Sequence, residues 1–356
     1  MSLEGWVALS RAELRPAQAL ALLERFHTPD ELLAGSPSAW RAVCPLSESE
    51  ERRLRDAAQA PVAEDLRKLG ELGAHIVTIR DLHYPALLRQ IYGSPPVLYV
   101  RGEIQERDHR AVAIVGTRRA SPYGRLVAET LARELAAAGV TVVSGLALGI
   151  DSAAHTGALQ AGRTIGIAAC GLDVTYPPSN RGLIDRVAAQ GAVISEFPLG
   201  ARPDRWRFPA RNRIIAGMAL GTVIVEAPEG SGALITADHA LDQGREVFAV
   251  PGAVNTVQSR GTHQLLKQGA KLVETVDDIL EELDLPAAPR REEPKVDDLS
   301  PAEKNLLALL TLHQKDVDLL ILESDLPSSQ VNAILTMLEL RGLVRRMPGN
   351  NFVRVH

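Results

Sequence analysis

Ala111-Val112-Ala113-Ile114-Val115-Gly116-Thr117-Arg118-Arg119 is the stretch that decides the fold. Five apolar residues without alternation describe a strand covered on both faces, which glycine and a hydroxyl residue then end. Similar runs follow at Thr141–Val143, Thr164–Ala169, Ala192–Ile194, Thr222–Glu226 and Glu246–Val250. Helices are predicted between them, over Tyr123–Ala138, Ser152–Ala161, Arg181–Gln190, Arg211–Ala219 and Leu234–Gln243. Short buried strands alternating with helices specify right-handed βαβ units and a parallel sheet. The expected core is α/β, a doubly wound, Rossmann-like, mostly parallel sheet. Two further strands, His75–Ile79 and Val97–Val100, come before it, the second after the Pro95-Pro96 break.

The flanks differ in texture. Residues 1–74 read as a small helical domain. Ser10 and Glu13 form one capping-box pair and Thr28-Pro29-Asp30-Glu31 another. An apolar stripe runs through Leu14, Ala17, Leu20, Ala21 and Leu23, and charged helices are expected over Glu48–Ala60 and Val62–Leu72. Residues 284–299, rich in Pro, Ala and mixed charge, read as a linker. Ser300-Pro301-Ala302-Glu303 caps a new helix, with two more expected at Val317–Ser324 and Ser328–Arg341. A hairpin of Gly342–Arg346 and Phe352–Val355, turned at Pro348-Gly349-Asn350, completes a winged helix over 300–356. Its recognition helix offers Ser328, Ser329, Gln330 and Asn332 but no arginine before Arg341, so protein contact is expected over sequence-specific duplex reading.

At 356 residues the chain is expected to hold two or three domains. A hydrophobic content of 46% with 23% charged residues excludes a disordered chain. Two distant cysteines, Cys44 and Cys170, give no disulfide framework, and no signal peptide or bilayer-length apolar run is seen, so a cytoplasmic location without membrane contact is expected. A net charge of −5 excludes a generally basic nucleic-acid binder, so any such contact must come from local charge.

In open α/β sheets ligands bind beyond the carboxyl ends of the strands. Those ends carry Gly116-Thr117-Arg118-Arg119, Ser144-Gly145-Leu146-Ala147, Cys170-Gly171, Ser195-Glu196-Phe197-Pro198, Gly230-Ser231-Gly232 and Pro251-Gly252. Backbone N–H groups at Gly116 and Thr117 can meet a phosphate that Arg118 clamps, and Ser231-Gly232 opens a helix whose amino end attracts anions. Five arginines, Arg202, Arg205, Arg207, Arg211 and Arg213, lie beside Trp206 and Phe208. This run is either a solvated loop leading into a helix or an anion site with stacking faces for bases. The glycine turns on the same sheet edge favour the anion site. A dinucleotide fingerprint and a P-loop are both absent. Asp151 and His155 stand one turn apart but have no third ligand, so Asp151 is expected to cap its helix and His155 to bond within it. Cys170 reads as packing. No catalytic set, metal or cofactor is expected.

Together these motifs resemble the bacterial DNA-processing protein DprA (Smf) family. The resemblance rests on Ser144–Asp151, Gly171-Leu172-Asp173 with Tyr176-Pro177, Ser195–Pro198, Phe208-Pro209-Ala210-Arg211-Asn212-Arg213-Ile214-Ile215-Ala216-Gly217, Ser231–Ala237 and Val250-Pro251-Gly252. Tyr84-Pro85 and Pro96–Gly102 extend it over about 75–283. It implies an extended Rossmann-like domain that binds single-stranded DNA without sequence preference, dimerises, and helps load the RecA recombinase in natural transformation. It also implies a helical domain of SAM or helix-hairpin-helix type before the core and a winged helix after it. The family's Gly-Ser/Thr-Arg turn corresponds to Gly116-Thr117-Arg118, and its basic residue before the Phe-Pro run corresponds to Arg205. Pro178 stands where many members carry a lysine, so either Arg181 or Arg207 substitutes or the affinity is lower.

The DNA-contacting set is thus expected among Gly116–Arg119, Ser144–Ala147, Asn180, Arg181, Arg205, Trp206, Arg207, Phe208, Arg211, Asn212, Arg213, Ser231 and Gly232. Arg205–Phe208 are expected to touch DNA directly, and Arg211–Arg213 mainly to brace the loops. His263, Leu266 and Leu272 either form a dimer or partner surface or pack a helix on the sheet. The wing arginines Arg345, Arg346 and Arg354 are expected to add weak duplex contact. The alternative is a nucleotide-acting enzyme, since Gly230–Thr236 resembles the phosphate loop of the "Lonely guy" phosphoribohydrolases. There Ala233 and Thr236 replace the threonine and glutamate, so the likeness reads as structural and the chain as a non-enzyme.

Overall fold

The computed structural model describes residues 2–286, 299–311, 314–347 and 349–354. Its strands form where the sequence lacks alternation because both faces of the sheet are covered. In β3 (Ala111–Val115), Ala111, Ala113 and Val115 enter one buried cluster while Val112 and Ile114 enter the other. The remaining core strands are β4 (Thr141–Ser144), β5 (Thr164–Ile167), β6 (Ala192–Ser195), β7 (Gly221–Ile224), β8 (Glu246–Ala249) and β9 (Lys271–Leu272). With β1 (Ala74–Thr78) and β2 (Val97–Gly102) they build a nine-stranded sheet, in the order β1-β2-β6-β5-β4-β3-β7-β8-β9. Strands β3 to β9 run parallel, and β2 joins β6 antiparallel, as β1 joins β2. The chain lays β4, β5 and β6 to one side of β3 and then returns to place β7 on its other side. The sheet therefore has its topological switch point between β3 and β7.

Six helices precede the sheet: α1 (Leu3–Arg11), α2 (Pro16–Phe26), α3 (Pro29–Leu33), α4 (Pro37–Arg41), α5 (Glu48–Gln59) and α6 (Ala63–Glu71). Their core, with Trp6, Leu22 and Trp40, is continuous with Val97 and Tyr99 of β2. Thr28 caps α3 as expected, its Oγ1 accepting from Glu31 N at 3.1 Å. The other capping pair is corrected. Ser10 lies in the last turn of α1, its Oγ donating to Val7 O, and α2 starts only at Pro16. Glu13 instead occupies the turn between them at φ 43° and is free to pair elsewhere.

Around the sheet lie α7 (Ala86–Arg89), α8 (Pro122–Ala137), α9 (Ile150–Ala161), α10 (Arg181–Gln190), α11 (Arg207–Gly217), α12 (Gly232–Asp242), α13 (Arg260–Lys267) and α14 (Val276–Glu282). One buried cluster lies under α11, α12 and α13, the other under α8, α9 and α14. Helix α11 begins at Arg207, four residues before the predicted start. Pro209 falls in its first turn, where the missing N–H costs no bond and φ is already helical. Tyr84, from one of the family motifs, is buried and donates to Pro95 O at 2.8 Å, so its role is to hold the segment before β2.

The chain divides into two compact units, residues up to 120 with 124–288, and 121–123 with the residues from 289. In the second, α15 (Pro301–Ala308), α16 (Val317–Ser324) and α17 (Ser328–Leu340) pack with the three-stranded sheet β10-β12-β11, formed by β10 (Lys315–Asp316), β11 (Val344–Met347) and β12 (Asn351–Arg354). This is the expected winged helix with one added strand, β10. Ser300 and Glu303 form the predicted capping box. The linker expected at 284–299 falls outside the described residues over 287–298, as do Pro348 of the predicted turn and Val355.

Candidate functional site

A cleft of about 770 Å3 opens at the switch point, beyond the carboxyl ends of β3 and β7. One wall is the loop Gly116–Arg119 and the other the segment Pro228–Gly232. Thr117 N donates to Glu226 O at 2.7 Å, so this N–H, contrary to expectation, is not open to a phosphate, and Thr117 O accepts from Ile150 N at 3.3 Å; the first loop is thus tied to the segment after β7 and to α9. Gly149 makes this approach sterically accessible. It has φ 81°, and a side chain there would meet the carbonyls of Thr117 and Arg118. Gly116 is equally confined, since a Cβ would stand 2.6 Å from the Ile150 side chain.

The mouth of the cleft is cationic and aromatic. Arg118, Arg119 and Arg205 are exposed and have no ion-pair partner among the described residues. The Arg118 guanidinium lies 4.7 Å from the centre of the Phe208 ring, and Phe208 in turn lies 5.5 Å from Tyr176 at an interplanar angle of 56°. A cation held on a ring face, with a second ring beside it, offers phosphate charge and base stacking within one nucleotide's reach.

Helix α11 sorts the arginine run onto two faces, because residues three and four apart share a face. Phe208, Arg211 and Asn212 line the cleft. Trp206 and Arg213 instead line a separate cavity of about 300 Å3 between the N-terminal helices and the sheet. Arg207, expected to touch DNA, is also turned away: its Nη2 donates to both carboxylate oxygens of Glu13, at 3.1 and 2.9 Å. Arg213 pairs with Glu196. Trp206, though half exposed, lies on the same far side, edge-on to Phe197 at 5.8 Å. Of the four residues expected in direct contact, only Arg205 and Phe208 reach the cleft. Neither substitute for the missing lysine lines it, since Arg207 is committed to Glu13 and Arg181 is exposed at the start of α10.

The second loop is mostly framework. Ser144 is fully buried and its Oγ donates to Ile114 O at 2.6 Å, so its hydroxyl cannot meet a phosphate. Leu146, at φ 61°, is buried, and only Ala147 of this loop lines the cleft. Asn180 is buried, and its Nδ2 donates to Leu146 O and Ser152 Oγ, both at 2.9 Å. Ser231 caps α12, its Oγ accepting from Ala233 N at 3.3 Å, while Asn212 Nδ2 donates to Gly232 O at 3.1 Å. Sequence reasoning missed Tyr176 as a ring of the site, although the Tyr176-Pro177 pair was visible at a strand end.

Beneath the cleft lies a buried charge system. Arg211, 4% exposed, donates through Nη1 to Gly145 O and Ile167 O. Burial lowers its pKa to about 10, with the Asp151 carboxylate opposing. Burial also raises the Asp151 carboxyl, which Arg211 and the Ala147 N–H counteract. Asp151 therefore anchors the Ala147 loop and is not the helix cap, which is Gly149. His155, expected to bond within its helix, reaches across to Thr164 Oγ1 in β5 at 2.7 Å. Thr164 Oγ1 donates to Val142 O, so His155 Nδ1 is the donor of that contact. Burial, with the Arg211 charge adding, lowers the His155 pKa to about 3.

A histidine kept neutral in the fold stabilises it above pH 6.5. As pH falls below that, the unfolded chain takes up a proton that the folded one refuses until about 3. His155→Gln should lessen the stability lost between pH 7.5 and 5 by about 2 kcal/mol in urea titrations. An unchanged pH dependence would remove His155 from this role.

Fold and cleft together define a doubly wound α/β protein with an arginine- and ring-lined cleft at its switch point. No cluster of three metal-ligating side chains occurs among the described residues, and no described helix is long and apolar enough to cross a membrane. The family model for DNA recombination-mediator protein A matches residues 75–284, and that for the DprA winged helix domain matches 290–350. The chain belongs to the DprA (Smf) family of DNA processing proteins. It is 43% identical to DNA processing protein DprA of Bacillus subtilis, over 60% of this chain and 72% of that one. Protein Smf of Escherichia coli is 39% identical over 79% of this chain and 77% of its own. The crystal structure of DNA processing protein A from Streptococcus pneumoniae superposes with a TM-score of 0.69 at 34% identity, covering 79% of this chain and 98% of that one. DNA processing protein A from Helicobacter pylori, studied for its single-stranded DNA binding mode, gives 0.54 at 33% identity, covering 60% and 98%.

Proposed function

We propose that this protein binds single-stranded DNA without base preference in the switch-point cleft, acting in transformation or recombination. The observation that carries this reading is the Arg118–Phe208–Tyr176 stack beside the free cations Arg119 and Arg205. Such a site holds charge for phosphates and π-faces for bases, and little that could read a base edge. The single-stranded DNA binding mode studied in the H. pylori relative supports the same reading. In this reading the bound strand is protected and handed to the RecA recombinase, and the protein is a binder, not an enzyme. Asp151, one of the carboxylates lining the cleft, is already engaged by Arg211 and the Ala147 backbone, which supports that view.

An anisotropy titration across a salt series, with a labelled oligo-dT and its duplex counterpart, tests the proposal. Preference for the single strand with a steep salt slope is expected, and equal affinity for the duplex would defeat it. Phe208→Ala should cost about 1–3 kcal/mol of binding, read as a Kd higher by about 5- to 150-fold with an unchanged slope. A steeper or shallower slope in that variant would assign the residue a different role.

The protein is further proposed to act as a homodimer through the end of the sheet. Leu272 is exposed on the edge strand β9, Leu266 is half-buried, and His263 Nε2 contacts Gly252 O at 3.0 Å. An unpaired edge beside apolar side chains is a ready pairing surface. Leu266→Glu is expected to give a monomer in light scattering, and a persistent dimer would place the contact elsewhere.

A further inference from the structure

Helix α11 carries the cleft residues Phe208, Arg211 and Asn212 on one face and turns Arg207 and Arg213 to the N-terminal helices. The Arg207 side chain is 10% exposed and sits against two rings, 4.6 Å from the centre of Phe197 and 4.8 Å from that of Trp206. Its Nε and Nη1 are buried without a hydrogen-bond partner, so Glu13 supplies its direct ion pair, with the buried Glu196 carboxylate, itself paired with Arg213, acting on it only through space. Glu13 belongs to the turn between α1 and α2, which is itself fixed. Glu13 N donates to Ser10 O at 3.1 Å, and Arg53 donates to Ala12 O at 2.7 Å. The loop from Pro198 to Trp206 thus ends on a cation whose counter-charge comes from 194 residues away.

Arg205 lies two residues before this anchor and Phe208 one residue after it. Wherever Arg207 is held, those two cleft groups are held as well. Resting on the single-strand reading of the cleft, we infer that Glu13 and Arg207 are positioning residues for DNA binding. Through them the N-terminal helical layer sets the placement of Arg205 and Phe208. Removing the Glu13 carboxylate leaves a buried cation without its direct ion-pair partner, a state relieved when Arg207 turns to solvent and frees the first turn of α11. Coupling between sites is reciprocal, so a strand bound in the cleft also tightens the contact of Glu13 with Arg207.

The pair does not line the cleft, which separates it from the cleft arginines Arg118, Arg119 and Arg205. In the full chain, Glu13→Gln should raise the Kd for oligo-dT about five- to tenfold while leaving the salt slope unchanged. Arg207→Lys, which keeps the charge, should fall between that variant and the parent. Trp206 supplies a second readout. It is 52% exposed, whereas Trp6 and Trp40 are 3% and 1% exposed, so iodide quenching reports on Trp206. Oligo-dT should reduce quenching in the parent protein, and Glu13→Gln should lose that response. A parental Kd with unaltered quenching in Glu13→Gln would overturn the inference. A slope lowered by about one unit would also overturn it, by making the pair a direct contact. Arg118→Ala runs alongside as the control for the reading beneath: if it too leaves the Kd unchanged, the cleft is not the binding site.

Discussion

Arg118→Ala should weaken single-strand binding well beyond tenfold at moderate salt and lower the slope of log K against log salt by about one unit. Two losses combine in this variant. The guanidinium proposed to meet a phosphate disappears, and Phe208 loses the cation held 4.7 Å from its ring centre. Arg118 is exposed at the tip of a loop whose backbone is fixed by Thr117 and Gly149, so folding should be untouched. Arg118→Lys keeps the charge without the planar fork and should recover the slope but only part of the affinity. An unchanged affinity in Arg118→Ala would remove this loop from the site.

Arg211→Met is expected to lower the free energy of unfolding by about 3–5 kcal/mol, because it strands a buried carboxylate and two buried carbonyls. Gly145 O and Ile167 O both accept from that guanidinium, and its charge is the largest influence opposing the burial of Asp151, beside the Ala147 N–H. Adding Asp151→Asn removes the stranded charge and should restore about half of the loss. Urea titrations at pH 7 measure both. A loss below about 1 kcal/mol for the single variant would show that solvent reaches the pair and that the cleft floor is not the framework described.

The sheet was legible because its signal is local. Runs such as Ala111–Val115 carry their two-sided burial in composition alone, and each is followed by glycine or serine where the backbone must turn. The cleft loops were legible for the same reason, since Gly116, Ser231 and Gly232 stand where a strand ends and a helix begins. What the sequence concealed is direction. The arginines Arg205, Arg207, Arg211 and Arg213 look alike in a string, yet an earlier helix start at Arg207 sends them to different faces. Pro209 hid that start, since a proline reads as a break and is also well suited to a first turn.

Long-range pairing was hidden as well. Glu13 looked like a cap for its own helix and proved to be the counter-charge of Arg207 across the fold. Ser144 looked like a phosphate ligand, but a hydroxyl on a fully buried strand end must satisfy itself on a neighbouring carbonyl, here Ile114 O. His155 bonded to β5 for the same reason. Tyr176 escaped notice as a site residue because nothing in a proline-rich loop reveals where a ring will point; its contact with Phe208 comes from the fold.

Ultraviolet cross-linking of a 5-iodouracil-substituted single strand to the full chain, mapped by peptide mass spectrometry, tests the location of the strand most directly. Adducts on Phe208 and Tyr176 are expected, because these rings line the cleft within reach of a base. Adducts confined to the winged-helix peptides around Arg345 and Phe352 would contradict strand binding in the switch-point cleft.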